Sequence, residues 1–288
     1  MEIYTLISID CDLRIGNVYH RQKALEALMY LFEDYGMCGH ITWFLNENDF
    51  KIVEWHATFL DKVIETGDSF GLHDHFDRMD SIHDYYPSAT PVDINSYEEV
   101  YFLLERSKKI VENYIRSKGY NKPVILHRNG SLVQSVAIYR ALKRLGYRVV
   151  SDITPQAYID GSQYRDRIGR SHVMFNRGIP LGVQPYRHDV DNWTDYKSRK
   201  GYFIQIPVHY MGISLDSKYV DATVEACCRN ELELCIFSWI FHPYEVQNVN
   251  GHIDKRKLKK LENNISRLIE KYNSKFNSFD EILEKLHL

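Results

Sequence analysis

Apolar stretches of strand length alternate with amphipathic stretches of helix length along most of the chain. The apolar runs predict strands at residues 3–10, 41–45, 70–73, 124–127, 148–153, 202–208 and 234–241. Helical spacing of apolar residues predicts helices at 20–35, 53–65, 97–117, 132–145 and 218–228, and a charged helical segment from residue 254. This alternation indicates a parallel sheet that is covered by helices.

The predicted strands fit one closed or nearly closed barrel better than two domains. The 288 residues contain no linker rich in proline, glycine or serine and no internal repeat. We therefore expect a single domain over residues 1–288, with a core at about 3–245 and a C-terminal helical segment at about 254–288. Residues 154–200 form too long a stretch for a structureless loop, which predicts short strands or functional loops there.

One predicted helix has recognisable end signals. Ser131 is a suitable N-cap for the helix at 132–145, because its hydroxyl can accept a hydrogen bond from an early backbone N–H. Gly146 is placed to end the same helix.

Charge and composition limit the kinds of molecule that the protein is expected to bind. The chain has 36 Lys and Arg against 39 Asp and Glu, for a net charge of -3, whereas a nucleic-acid-binding surface needs a basic patch. Nucleic acid is therefore not an expected partner. The 21 Tyr, 13 Phe and 4 Trp suit the stacking of sugars as well as core packing, so composition leaves both uses open. The sequence gives no indication of the oligomeric state.

The apolar runs are too short for a membrane span. No run reaches 18 residues, so we expect no transmembrane helix. Met1 is followed at once by a strand-like run, without a basic region or a small-residue cleavage site. We therefore expect no signal peptide and a cytoplasmic location.

The cysteines are odd in number and lack a paired metal-type spacing, so we expect buried free thiols. They are Cys11, Cys38, Cys227, Cys228 and Cys235.

Polar side chains close almost every predicted strand. In a β/α barrel the reacting groups collect at the C-terminal ends of the strands, so these residues are the candidates for chemistry. They are Asp10, Asp12, His73, His75, Asp77, Arg128, Asp152, His209 and His242.

Asp10 and Asp12 lie two residues apart and would point to the same side of a regular strand. Two carboxylates at such a short distance repel each other, unless one binds a cation and the other pairs with a cation or shares a proton. This pair therefore indicates one carboxylate on a metal and one that acts as a base. The alternative is that both carboxylates cap the turn between strand and helix.

In the segment GLHDHFD, the alternating residues His73, His75 and Asp77 would lie on one face if the chain is extended. His73 and Asp77 are also four residues apart, so a helical turn would bring these two together as well. Histidine with carboxylates suits zinc, and an open fourth position would make such a site catalytic. The alternative is a surface histidine cluster in a polar loop.

Two further strand ends carry a cation and a proton carrier. Arg128 can orient a nearby carboxylate through paired hydrogen bonds, although a lone Arg more often forms an ordinary salt bridge. His242 follows the most apolar strand and can transfer protons near pH 7, although a lone His is more often a core residue.

The order of these motifs resembles the polysaccharide deacetylase family, the NodB homology domain of carbohydrate esterase family 4. The motifs are SIDCD, GxxTWF, GLHDHFD, HRNG, GYRVVSDI and FHP. The resemblance extends from residue 3 to about 245 and implies a distorted (β/α)7 barrel of the polysaccharide deacetylase type.

The resemblance also implies roles for the candidate residues. Asp10 matches the general base, Arg128 the arginine that orients it, and His242 the catalytic histidine. Asp12 and His73 match two metal ligands. An Asp–Trp motif of the family has only a weak counterpart here, in Asp189, Asp191 and Trp193.

The third metal ligand departs from the family pattern. Asp77 stands where the family has a second histidine. Either Asp77 is an unusual ligand, or His75 replaces it, or the metal site is weakened.

These roles predict a hydrolase that uses a divalent metal ion, zinc in the first place, to remove an acetyl group from an N-acetylated sugar or glycan intermediate. A cytoplasmic member would act on a soluble or lipid-linked sugar. Two alternatives remain at this point: a carbohydrate-binding pseudoenzyme that has lost its metal, or a hydrolase of another linear or cyclic amide.

Overall fold

Parallel pairing of buried strands builds the centre of the protein. The computed structural model describes residues 1–11, 18–45, 53–76, 93–155, 158–159, 176, 178–213, 216–229 and 233–286. Its strands are β1 Glu2–Asp10, β2 Thr42–Leu45, β3 Ser69–Asp74, β4 Leu126–Asn129, β5 Val149–Val150, β6 Tyr158–Ile159, β7 Tyr186–His188, β8 Phe203–Gln205, β9 Tyr210–Met211, β10 Leu234–Phe241 and β11 Lys275–Phe276.

Helices follow most of the central strands. They are α1 Val18–Asp34, α2 Val53–Thr66, α3 Tyr97–Ser117, α4 Val136–Arg144, α5 Ser217–Cys228, α6 Lys255–Tyr272 and α7 Phe279–Lys285. Short 3₁₀ turns lie at Gly130–Leu132 and Pro243–Val246. No helix in the described ranges combines the length and the apolar character that a bilayer crossing requires.

The strands form one curled sheet in the order β6-β9-β10-β1-β2-β3-β4-β5-β8-β7, with β11 on β1. Every pairing is parallel except that of β7 with β8. In the described part of the chain no ladder joins β7 to β6, so the sheet is a half-barrel. The predicted α/β barrel is therefore confirmed, in its open form.

Side-chain alternation divides the core into two layers. One layer packs between the sheet and the helices and includes Trp43, Leu104, Leu142, Phe237 and Ile265. The other fills the inside of the curled sheet and includes Tyr4, Leu6, Phe44, Leu126, Ile236 and Phe279. Since successive side chains of a strand point to opposite faces, the even-numbered residues of β1 face inward.

The predicted C-terminal helical segment is divided by a strand. Asn273 ends α6 in the left-handed conformation, with φ 49°, which asparagine adopts more readily than most residues. The chain then pairs β11 with β1 and enters α7, where Phe279 packs edge-on against Phe44 at a centroid distance of 5.7 Å. The C-terminus thus closes one end of the inner core.

The expected N-cap at Ser131 is wrong. Ser131 and Leu132 both have φ 53°, in the left-handed region, so a right-handed helix cannot begin there. The helix α4 begins after Ser135 instead, whose hydroxyl accepts a hydrogen bond of 3.1 Å from the backbone N–H of Ile138. In the 154–200 stretch, the expected short strands are present as β6 and β7.

Candidate active site

The site lies at the C-terminal ends of the central strands. Asp10 is the last residue of β1, and His242 comes directly after the last residue of β10. Because Ile9 pairs with Phe241, Asp10 and His242 are at matching positions on these two neighbouring strands. His73 on β3 pairs in register with Arg128 on β4. Parallel pairing therefore brings four of the predicted residues to one end of the sheet.

Arg128 connects β4 to β1 across the inside of the sheet. Its Nη1 donates a hydrogen bond of 2.7 Å to Oδ1 of Asp10, and its Nη2 donates one of 2.9 Å to Oγ of Ser8. The carbonyl and the hydroxyl of Ser151 accept from Nε and Nη2, at 2.9 and 2.8 Å. Since Arg128 and Asp10 are buried, this charge pair is desolvated and well provided with hydrogen bonds.

An aromatic ring supports the guanidinium. The Cζ atom of Arg128 lies 4.1 Å from the centre of the Phe44 ring, a cation–π contact. Gly71 leaves the room for this ring, because a Cβ atom at Gly71 would lie 2.5 Å from Cε1 of Phe44.

The ring of His73 is oriented by the backbone of the next strand. Its Nδ1 lies 3.1 Å from the carbonyl oxygen of Arg128. Because a carbonyl oxygen only accepts, Nδ1 carries the hydrogen and donates it. The other ring nitrogen, Nε2, lies 3.6 Å from Oδ2 of Asp10. Asp10 thus faces Arg128 with one oxygen and His73 with the other.

His75 packs directly against His73. The two ring centroids are 4.7 Å apart, with the rings nearly perpendicular, and both side chains are buried. His75 also lies on the backbone at Gly130, where a Cβ atom would come within 2.3 Å of its Nδ1. Only a residue without a side chain leaves this ring in place.

The donor chemistry of His73 and His75 fits a zinc ion in part. Imidazole nitrogens suit zinc, and a ligand histidine commonly donates its second N–H to a carbonyl, as His73 does. Among the residues with described positions, no group of three or more His, Cys, Asp and Glu side chains is arranged to hold a metal ion. The predicted ligands Asp12 and Asp77 lie outside the described residues.

His242 is held by a carboxylate from its own turn. Its Nδ1 lies 2.9 Å from Oε1 of Glu245, which also accepts the backbone N–H of His242 at 3.0 Å. The second oxygen of Glu245 accepts from the backbone N–H of Ile213 at 3.1 Å. Nδ1 therefore donates to Glu245, and the ring of Tyr244 stacks on His242 with centroids 4.8 Å apart. This arrangement fixes both the tautomer and the direction of the ring.

Two other strand-end residues have structural partners. His209 is buried between two backbone groups: its Nε2 donates to the carbonyl of Val183 at 2.6 Å, and its Nδ1 accepts from the N–H of Ser238 at 3.0 Å. Burial lowers the pKa of His209 to about 4, so the ring is neutral. Asp189 pairs with Lys143 of the last turn of α4.

Asp152 lies in a buried polar network beside Arg128. It accepts hydrogen bonds from Asn129 at 2.6 Å and from the hydroxyl of Tyr139 at 3.0 Å. Burial raises the pKa of Asp152 to about 7, although these bonds oppose the shift.

Sequence reasoning missed the residues that support the candidates. Ser8 and Ser151 hold the guanidinium of Arg128, and Phe44 lies under it. Ser8 shares the inward face of β1 with Asp10, so strand alternation was a usable signal. Glu245 follows His242 by three residues, a spacing that brings two side chains together in a helical turn.

Similar structures share this architecture at low sequence identity. No protein-family model and no curated protein matches the sequence. A Mycobacterium smegmatis protein described as a polysaccharide deacetylase superposes with a TM-score of 0.60 at 11% identity, over 99% of this chain and 90% of that one. A 4-alpha-glucanotransferase from Thermococcus litoralis gives a TM-score of 0.57 at 10% identity, over 99% of this chain and 40% of that one.

An alpha-mannosidase from Enterococcus faecalis gives a TM-score of 0.50 at 8% identity, over 99% of this chain and 29% of that one. Among these three, the match that spans most of both chains is the deacetylase. The chain therefore has the curled α/β-barrel fold of the NodB-type polysaccharide deacetylases.

Proposed function

We propose that the protein is a metal-dependent hydrolase that removes the acetyl group from an N-acetylated sugar. One observation carries this proposal: a buried carboxylate, Asp10, faces Arg128 with one oxygen and His73 with the other, beside the strand that leads to His242. Amide hydrolysis needs a base for the attacking water and an acid for the leaving amine, and these strand ends supply one group for each task.

Asp10 serves as the general base. Its Oδ1 is held by Arg128, and its Oδ2 points to the His73 side, where a substrate water would give up its proton. Because the guanidinium is fixed by Ser8 and Ser151, the carboxylate needs no rearrangement before proton transfer.

His242 serves as the general acid. Since its Nδ1 donates to Glu245, Nε2 is the ring nitrogen that would pass a proton to the leaving nitrogen of the sugar. The carboxylate of Glu245 holds the ring in the orientation that this transfer needs. Without the proton, an amine anion would have to leave.

Asp12, His73 and either Asp77 or His75 would hold the divalent cation, zinc in the first place. When bound, such an ion supplies Lewis acidity to the acetyl carbonyl and makes water more acidic. His73 is already oriented for this role by the carbonyl of Arg128.

The substrate class rests on the fold and on the expected compartment. The similar structures named above carry the names of carbohydrate-acting proteins. If the protein acts in the cytoplasm, its substrate is a soluble or lipid-linked sugar intermediate rather than a cell-wall polymer.

Acetate release from N-acetylated sugars tests the proposal. We expect Asp10→Asn and His242→Ala each to lower kcat by 10²-fold or more, on the order of a lost acid or base. Exposed His252→Ala provides a control that keeps full activity. Wild-type rates in both site variants would overturn the proposal. Activity that is unchanged after chelation of metal ions would overturn the part of the proposal that concerns the metal.

A binding protein without catalysis is the second candidate. The observation in its favour is Asp77 at the position where the family has a histidine. Elemental analysis of the purified protein separates the two, because a stoichiometric metal supports the enzyme.

A further inference from the structure

Three cysteines form a cluster outside the candidate active site. Cys227 and Cys228 end the helix α5, and Cys235 is the second residue of β10, on the face of the strand that packs against the helices. The sulfur atoms of Cys228 and Cys235 are 3.3 Å apart. We call Cys227, Cys228 and Cys235 the thiol cluster.

The three sulfurs differ in exposure and acidity. Cys227 and Cys235 are each 1% exposed, whereas Cys228 is half-buried and gives the cluster its access to solvent. Hydrogen bonds from the thiols of Cys227 and Cys228 lower the pKa of Cys235. Burial raises the pKa of Cys228 to about 12 and also raises the pKa of Cys227. Cys235 is therefore the sulfur best able to carry the negative charge of a nucleophile.

We propose that Cys228 and Cys235 are an oxidation site at which hydrogen peroxide, or a peroxide of similar size, forms a reversible disulfide. Two sulfurs in contact at 3.3 Å need a further approach of about 1.3 Å to reach bonding distance. Cys228 is the last residue of its helix, where a small backbone adjustment is easiest.

The chemistry proceeds in two balanced steps. The Cys235 sulfur attacks one oxygen of the peroxide, the O–O bond breaks, and a sulfenic acid forms with release of water. The Cys228 sulfur then attacks the sulfenyl sulfur, the S–O bond breaks, and a second water leaves with the Cys228 proton. Two thiols are oxidised by two electrons, and one peroxide is reduced to two waters.

The disulfide would join the end of α5 to the start of β10. Ile3 pairs with Cys235 at this end of the sheet, whereas His242 follows the opposite end of β10. The cross-link would therefore stabilise the helix–sheet packing without entering the catalytic groups. We expect catalysis to continue in the oxidised protein.

Titration of the full-length protein with hydrogen peroxide tests this assignment. We expect the free thiols to fall from five to three, with peptides containing Cys228 and Cys235 joined. The melting temperature should rise by about 5 °C, because the cross-link restricts the unfolded chain, and dithiothreitol should reverse both changes.

Two variants sharpen the result. Cys228→Ser should abolish the disulfide and the thermal shift and leave only Cys235 to lose its thiol, as a sulfenic acid. Cys38→Ser, which changes a half-buried cysteine before β2, should still form the disulfide and show the shift. Mapping of the wild-type protein does not depend on how either variant folds. A Cys227–Cys235 linkage, irreversible oxidation of Cys235, or five free thiols after peroxide treatment would each overturn the assignment.

Discussion

The guanidinium of Arg128 on β4 reaches Asp10 on β1 across the two strands between them, at 2.7 Å. Its other N–H groups are distributed over Ser8 and Ser151, so one cation ties together three strand ends. A charge pair of this kind is costly to break, because removal of one partner leaves the other buried without compensation. Stability and the proposed catalysis therefore depend on the same contact.

Replacement of this arginine should separate the two effects. Arg128→Met leaves Asp10 buried without its cation and should lower the free energy of unfolding by about 3–5 kcal/mol in urea titrations. Arg128→Lys keeps the charge but lacks the planar fork that serves Ser8 and Ser151, so kcat/KM should fall by roughly 10²-fold with a smaller loss of stability. Full activity in Arg128→Lys would contradict the orienting role.

Glu245→Gln should reduce turnover without unfolding the protein. The amide has one oxygen in place of two, so either the ring of His242 or the N–H of Ile213 loses its acceptor. We expect kcat to fall roughly 10–100-fold with little change in KM. The matched control is Glu281→Gln, which alters a similar histidine–glutamate pair with His40, and should leave kcat unchanged. An equal loss in both variants would argue for a general effect on stability.

Gly130→Ala should disturb the site through His75. The new methyl group would lie 2.3 Å from Nδ1 of His75, so the ring must leave its place beside His73. We expect reduced activity, weaker binding of the proposed zinc ion and a loss of about 1–3 kcal/mol in the free energy of unfolding.

A double variant tests whether the loss of stability in Gly130→Ala comes from the contact with His75. His75→Ala removes the ring that the methyl group meets, so Gly130→Ala in that background should cost far less stability than in the wild-type protein. Additive losses in urea titrations would show that the strain lies elsewhere in the Gly130–Leu132 turn.

The parts of the fold that the sequence predicts best are those with continuous apolar runs. The predicted strands at 3–10 and 234–241 agree with β1 and β10 within one residue, because most residues of a strand covered on both faces are apolar. The predicted start of α4 at residue 132 is wrong, because the hydrophobic pattern does not distinguish the left-handed turn at Ser131 from the first turn of a helix.

The candidate site was predictable as a set of strand ends but not as a set of contacts. Asp10, His73 and Arg128 follow from their positions, and the structure brings them together. The partners Phe44 and Ser151 depend on the curvature of the whole sheet, which no local pattern encodes.

Asp152 should make the stability depend on pH. Burial raises its pKa in the folded protein to about 7, above the 3.8 of an unperturbed Asp side chain. Between these values the unfolded chain has lost this proton while the folded chain still holds it, so stability falls as pH rises. The contribution is fully present below about pH 4 and is lost by about pH 7, and it amounts to about 4 kcal/mol.

Comparison with Asp152→Asn isolates this contribution. The amide of the new asparagine stays neutral at every pH. Its single oxygen can accept one of the two hydrogen bonds that Asn129 and Tyr139 donate to Asp152 in the wild-type protein. We expect the wild-type free energy of unfolding to fall relative to that of the variant between pH 4 and pH 7, and the difference to level off above that window. Parallel curves from urea titrations across the window would show that Asp152 titrates at the same pH in the folded and unfolded chain. Asn129 and Tyr139 would then bind an ionised carboxylate in the folded protein. The positive charge of Arg128 would in that case stabilise the carboxylate of Asp152 as well as that of Asp10.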